Sequence, residues 1–245
     1  MQYPNLNAAA VEKFQRFQNE ILGRYQTNIH SMAITGSALT ADFNPDKSDI
    51  NSVFVLHKID LKFLEILSLL GKEHRKKRIG APLIMTPGYI VNSLDVFPVE
   101  FLNIKLLHYT VYGEDLFSEL KIIPSDLRLQ CEREFKVRLI GLRQGYIAAL
   151  GDRKMLTEMF FNSIAGYMPL FRAIIFLLGK EPPLTHDDVL ATLEAASGVK
   201  TTVFKTVLQY KKQPPKLSTE QINTMFEDYY AATEKLGEIT NEIQE

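Results

Sequence analysis

Two short apolar runs are joined by residues that could handle a phosphate. Ile34-Thr35-Gly36-Ser37 ends the first, Lys47-Ser48-Asp49-Ile50-Asn51 follows, and Ser52-Val53-Phe54-Val55-Leu56 forms the second. Gly36 has no side chain, so a ligand can approach the backbone closely there. Ser37 can offer its N–H and its hydroxyl to a phosphate oxygen at the start of a helix. Asp49 sits twelve residues after Ser37, at the mouth of the second run. A carboxylate in that place is a reasonable ligand for the magnesium that accompanies triphosphates. A plainer reading of the same residues is a glycine turn and an aspartate capping a strand end.

The stretch resembles the nucleotidyltransferase superfamily, the fold of DNA polymerase β and of aminoglycoside nucleotidyltransferases. Its signature is a strand, Gly-Ser, a polar stretch, then Asp-apolar-Asp, with a third carboxylate on a neighbouring strand. Gly36 and Ser37 match the Gly-Ser, and Asp49-Ile50 match the first Asp and the apolar residue. The order of helix, strand, Gly-Ser, strand, helix, further strands and helical bundle is also that of aminoglycoside-type enzymes. The resemblance implies that ATP or another nucleoside triphosphate binds with Mg2+. It further implies nucleotidyl transfer to an acceptor hydroxyl, on a small molecule or a protein, in a cleft between two domains.

The departure is Asn51, which stands where the second Asp belongs. In an active member both carboxylates hold two magnesium ions that bridge the triphosphate and the attacking oxygen. An amide keeps an oxygen ligand but lacks the negative charge, so two ions would be poorly neutralised. The resemblance therefore leaves open a second function, a nucleotide-binding or scaffold protein that keeps the fold without catalysis.

Catalysis and metal binding are assigned to Asp49 and Glu100, and nucleotide contacts to Gly36, Ser37, Asn51 and Arg172. Glu100 and Asp95 both lie on a segment, 95–104, that reads as a strand interrupted by Pro98. Glu100 is preferred as the third carboxylate because apolar Val99 and Phe101 flank it. It also fits a structural carboxylate paired to Lys or Arg. Arg172 fits either a phosphate contact or a buried ion pair, and Arg143 has the same ambiguity. Aminoglycoside-type relatives can take a base from the first bundle helix, where Glu132 and Glu134 stand. Both also suit i, i+4 pairs with Lys136 and Arg138. The five histidines show no metal-ligand spacing.

These residues need a sheet to hold them. Residues 8–26 read as an amphipathic helix, 30–35 and 49–57 as strands, and 60–78 as a helix with Leu61, Leu64, Leu67, Leu69 and Leu70 on its apolar side. That helix ends in Lys72-Glu73-His74-Arg75-Lys76-Lys77-Arg78 before Gly80, which reads as its cap. The run is either a solvated cationic helix end or a polyanion patch. Residues 82–85 and 110–112 suggest short strands, and Thr86 opens a short helix.

A boundary at Pro124 separates an α/β domain, 1–124, from a helical bundle, 125–245. Phe135, Leu139, Leu142, Tyr146 and Leu150 form one bundle stripe. A long apolar helix over 153–178 is expected to kink at Pro169. The fold class is α+β: a nucleotidyltransferase-like mixed sheet of four or five strands with helices on one face, then about five bundle helices. The apolar residues Phe160, Phe161, Met168, Phe171 and Phe176 suit either a core or a homodimer interface.

Composition bounds the rest. The 245 residues are 46% hydrophobic and 23% charged, ordinary for a globular chain. Lys and Arg number 28 against 29 Asp and Glu, so a strongly basic nucleic-acid binder is disfavoured. The lone cysteine, Cys131, allows no intrachain disulfide. Neither a secretory signal nor a membrane span is visible, and the expected location is the cytoplasm.

Overall fold

The computed structural model describes residues 7–213 and 215–243. Residues 1–6, at the start of the segment where no secretory signal is visible, Pro214 and residues 244–245 lie outside them. The chain divides into two compact units, Met1–Asp95 with Glu100–Ile122, and Val96–Val99 with Ile123–Glu245.

The first unit is built on a four-stranded mixed sheet of order β3-β2-β1-β4. β1 (Ile29–Thr35) pairs antiparallel with β2 (Asn51–Leu56) and with β4 (His108–Gly113). β3 (Leu83–Met85) runs parallel to β2. Alternation along the strands sorts the side chains. Met32, Ile34, Phe54 and Leu56 pack on one face with Phe14, Phe17 and Ile21 of α1 (Ala8–Tyr25) and Phe63 of α2 (Leu61–Lys76). Ala33, Val53 and Val55 pack on the other with Ile90 of α3 (Pro87–Val91) and Phe101 and Ile104 of α4 (Pro98–Leu106). The sheet is thus covered on both faces, not one, which is why its central strands are almost continuously apolar.

Three expectations in this unit are corrected. Residues 98–106 are helical, so Glu100 lies in the first turn of α4 and not on a strand. Pro98 opens that helix, where its fixed φ suits the first turn and its missing N–H costs nothing. The next orphan amide, that of Val99, donates to Gln130 Oε1 at 2.8 Å. On α2, Leu61 and Leu69 are exposed, and the buried side is Phe63, Leu70 and His74. The left-handed residue after α2 is Arg78 (φ 61°), while Gly80 instead donates its N–H to Ile50 O.

The second unit contains six helices among the described residues. α5 (Pro124–Ala148) buries Leu127, Cys131, Phe135, Leu139 and Leu142. The expected stripe therefore holds in its first three members, but Tyr146 and Leu150 are exposed. The long helix over 153–178 is two helices, α6 (Arg153–Ser163) and α7 (Tyr167–Leu177). They meet at Gly166, whose φ of 79° only glycine adopts at little cost. Pro169 falls in the first turn of α7, where proline is tolerated. α7 is buried nearly all round. Phe160, Phe161, Met168 and Phe171 belong to the core of this unit.

α8 (His186–Ser197), α9 (Thr202–Lys212) and α10 (Thr219–Glu242) complete the bundle, and Ser218 and Gln221 form a capping box at the start of α10. Phe204 of α9 lies 5.1 Å from Tyr229 of α10 and 4.9 Å from Phe171 of α7, measured between ring centres. Among the described residues no single helix is long and apolar enough to cross a membrane.

Candidate functional site

The register of the central strands brings the motif together. Thr35 is opposite Asn51 in the β1–β2 ladder and opposite His108 in the β1–β4 ladder. Gly36 therefore turns away at the same end of the sheet where Asp49-Ile50-Asn51 enters. Its φ is 76°, and its N–H donates to Leu107 O at 2.9 Å. That donor is committed to the fold. Ser37 follows in a single 3-10 turn (Gly36–Leu39), and its carbonyl accepts from both the N–H and the hydroxyl of Thr40. The half-buried Ser37 hydroxyl has no hydrogen-bond partner among the described residues, so it remains available to a ligand.

Asn51 lies between two glycines. A Cβ on Gly36 would stand 3.6 Å from Asn51 Nδ2, and one on Gly80 would stand 3.2 Å from Asn51 Oδ1. Gly80 comes near because the segment after α2 runs beside the motif. Ile50 N donates to Arg78 O at 2.7 Å, Gly80 N donates to Ile50 O at 3.0 Å, and Ile50 and Ile79 form a parallel bridge. The same segment carries Arg78, whose guanidinium is 3.6 Å from Asp49 Oδ1 and donates to Lys47 O at 3.2 Å. Asp49 and Arg78 are both exposed, 63% and 45% at the side chain, so the pair is weak in energy. Its meaning is positional: a fixed cation stands beside the one carboxylate of the motif. This was not legible in the sequence, although the basic run ending at Arg78 was the signal that could have found it.

The residues do not fit two magnesium ions. A pair of ions needs several carboxylates to neutralise it. Here Asp49 already has a guanidinium partner and Asn51 is neutral. β3 and β4 carry no Asp or Glu, and no group of three His, Cys, Asp or Glu able to hold a metal occurs among the described residues. Glu100, the expected third carboxylate, is on helix α4, so the strand geometry invoked for it does not apply. Asp95 precedes that helix.

The residues expected from the bundle make other contacts. Arg172 is buried at 3% exposure, and donates from Nε to Pro183 O and from a terminal nitrogen to Leu184 O. The guanidinium ties α7 to the loop before α8. Glu132 pairs with Arg128 and Lys136, and Glu134 with Arg138, along α5. Arg143 donates to Tyr230 OH at 2.7 Å.

A second group, missed from sequence, holds the strand that anchors Gly36. His108 is buried, with Nδ1 2.9 Å from Ile104 O and Nε2 3.0 Å from Asp115 Oδ1. Partial burial opposes ionisation of Asp115. Hydrogen bonds from the Ser118 hydroxyl and from the N–H groups of Phe117 and Ser118, with the charge of His108, outweigh it and lower the Asp115 pKa to about 2. A carboxylate depressed in the folded state stabilises above its unfolded pKa of about 4 and loses that contribution as pH falls towards 2. Asp115→Asn should therefore cost about 1 kcal/mol at neutral pH, discounted because the side chain is 42% exposed, and the difference from the parent should vanish in melts near pH 2.

No family model matches the chain, and no curated protein matches it. Among solved structures, the chain is similar to the crystal structure of spectinomycin adenyltransferase AAD(9) from Enterococcus faecialis with ATP and spectinomycin. The TM-score is 0.55 at 14% identity, over 92% of this chain and 98% of that one. The likeness shows a nucleotidyltransferase-like fold.

Proposed function

We propose that this chain binds a nucleoside triphosphate, ATP or a close relative, at the end of the sheet where Gly36, Asp49 and Asn51 meet, and that it does not run two-metal nucleotidyl transfer. The observation that carries the reading is the pairing of Asp49 with Arg78 beside Asn51. Two acids and two metals are replaced by one acid, one amide and one guanidinium. The glycine approach and the Ser37 hydroxyl are kept. The choice of ligand class is supported by the fold's likeness to an enzyme crystallised with ATP.

A second reading is transfer to a hydroxyl of a small acceptor, with magnesium on Asp49 and Glu100. It is favoured by the near full-length match to a structure that holds both ATP and spectinomycin. In that reaction the acceptor oxygen bonds to the α-phosphorus and pyrophosphate leaves.

The two readings separate in one assay. The full chain is incubated with ATP labelled at the α-phosphate, magnesium and a panel of hydroxyl acceptors including spectinomycin, while calorimetry follows nucleotide binding. The expected result is saturable binding without labelled product. A labelled acceptor that disappears in Asp49→Ala would establish transfer instead. Absence of binding to ATP and GTP at millimolar concentration would remove both readings.

A further inference from the structure

We infer that the phosphates of the bound ligand are neutralised by side-chain cations, those of Arg78, Arg75 and Lys72, and not by magnesium. The inference rests on the nucleotide-binding reading above and names what replaces the metal in that site.

A cavity of about 860 Å³ lies along α2 in the first unit, and Asp49 and Gly80 are among its walls. Its lining is of two kinds. Leu64 and Leu67 give an apolar side, and Lys72, Arg75 and Arg78 give a cationic one. Lys72 and Arg75 are three apart on α2, so they share a face. Arg78 continues that line past the helix end. Their placement at a helix C-terminus is electrostatically favourable before any ligand arrives.

The cations are not used up by the fold. Lys72 and Arg75 are exposed and have no hydrogen-bond or ion-pair partner among the described residues. Lys77, by contrast, pairs with Glu73 at 2.6 Å. His74 also lines the cavity, but its Nε2 is 3.1 Å from Glu20. Arg78 balances Asp49, the one acid in the lining, and this leaves Lys72 and Arg75 in surplus. Arg78 is held at φ 61°, a conformation uncommon for arginine, and such outliers cluster at ligand clamps.

The cavity is also continuous with the motif. Gly80 belongs to its wall and leaves room for the Asn51 amide, since a Cβ on Gly80 would stand 3.2 Å from its Oδ1 and one on Gly36 3.6 Å from its Nδ2. A polyphosphate lying over Asn51 can therefore meet Ser37 at one end and the cationic wall at the other, with an apolar group of the ligand against Leu64 and Leu67. Arg is suited to this because its planar guanidinium donates to two phosphate oxygens at once.

Cation binding and metal binding give opposite results for Asp49. If magnesium carries the phosphates, removing the carboxylate removes the binding. If fixed cations carry them, removing the carboxylate leaves Arg78 without a competitor. The experiment is calorimetric titration of ATP, and separately of inorganic tripolyphosphate, into the full chain, once with magnesium and once with EDTA. The variants are Asp49→Asn, Arg78→Asn and the double variant Lys72→Ala/Arg75→Ala. Asparagine is chosen at Arg78 because it tolerates left-handed backbone. Lys72 and Arg75 are exposed and unpartnered, so the double variant keeps the test valid even if Arg78→Asn does not fold.

The affinity in EDTA should be within about twofold of that in magnesium, each cation-removing variant should weaken it by roughly tenfold, and Asp49→Asn should tighten it. Binding that requires magnesium and is lost in Asp49→Asn would overturn the inference and leave the nucleotide reading standing. A double variant that binds like the parent would overturn the role of the α2 cations. Absence of binding in every condition would overturn both.

Discussion

Gly113→Ala is expected to destabilise the first unit by about 4 kcal/mol, a large share of the stability of a typical domain. Gly113 ends β4 opposite Ser31 with φ 74°. A Cβ there would lie 2.1 Å from His30 O and 2.9 Å from Ser31 Cα. Both neighbours are backbone of the central strand, so neither can turn aside as a side chain could. Relief requires β4 to shift, and β4 begins one residue after Leu107, whose carbonyl fixes Gly36. The consequence therefore reaches the site: the variant that remains folded should also bind nucleotide more weakly.

The control is Gly151→Ala, which has φ 80° but no atom within 4 Å of the added carbon. It should cost only the left-handed conformation, about 1 kcal/mol. Urea unfolding of both variants checks this. Equal losses would show that the close approach at His30 is not rigid.

The second large effect is a gain. Asn51→Asp combined with Arg78→Asn should make ATP binding depend on magnesium, tightening it by at least about tenfold over EDTA. The pair returns the second carboxylate and removes the guanidinium that stands beside the first. Asp49 stands two residues before Asn51, the first residue of β2, with only Ile50 between them, so the two carboxylates would enter the sheet at the same end. The single variant Asn51→Asp should show a smaller shift, because Arg78 still competes for Asp49. Titrations with and without magnesium read the effect directly. Identical affinities in the two conditions would show that the pair at 49 and 51 is not a metal position on this chain.

Much of what positions the site was legible because it is local. Strands β1 and β2 announce themselves by β-branched and aromatic runs bounded by Gly36 and by Ser48-Asp49. Thr86 opens its helix as expected and caps it with a side-chain oxygen, as Thr185 and Ser218 do theirs, and Gly198 ends α8 at φ 72°. The misread parts depend on partners far along the chain. Val96-Phe97-Pro98-Val99-Glu100-Phe101 is rich in strand-forming residues and reads as a strand interrupted by Pro98, yet it contains a helix start whose amide is satisfied by Gln130, 31 residues away. The α7 half of the segment is apolar nearly throughout, so periodicity could not locate the break before it, and Gly166 decided it in place of Pro169.

The site followed the same division. Gly36, Ser37, Asp49 and Asn51 were singled out by their types and by the family resemblance, and the strand register brings Gly36 beside Asn51. Arg78 was hidden in a run of seven residues with five Lys or Arg, whose composition says nothing of which one turns back on Asp49. Only the parallel bridge between Ile50 and Ile79 selects it. An arginine in an apolar helix suggests a ligand, and the sequence could not show that at Arg172 two backbone carbonyls of the following loop accept from the guanidinium.

The most direct measurement is a titration of ATP into the full chain labelled with nitrogen-15, following each backbone amide by nuclear magnetic resonance. The expected shifts are concentrated at Gly36, Ser37, Asn51 and Gly80 and along Lys72, Arg75 and Arg78, and are present in EDTA as well as in magnesium. Shifts confined to other residues, or none at saturating nucleotide, would contradict the proposed binding.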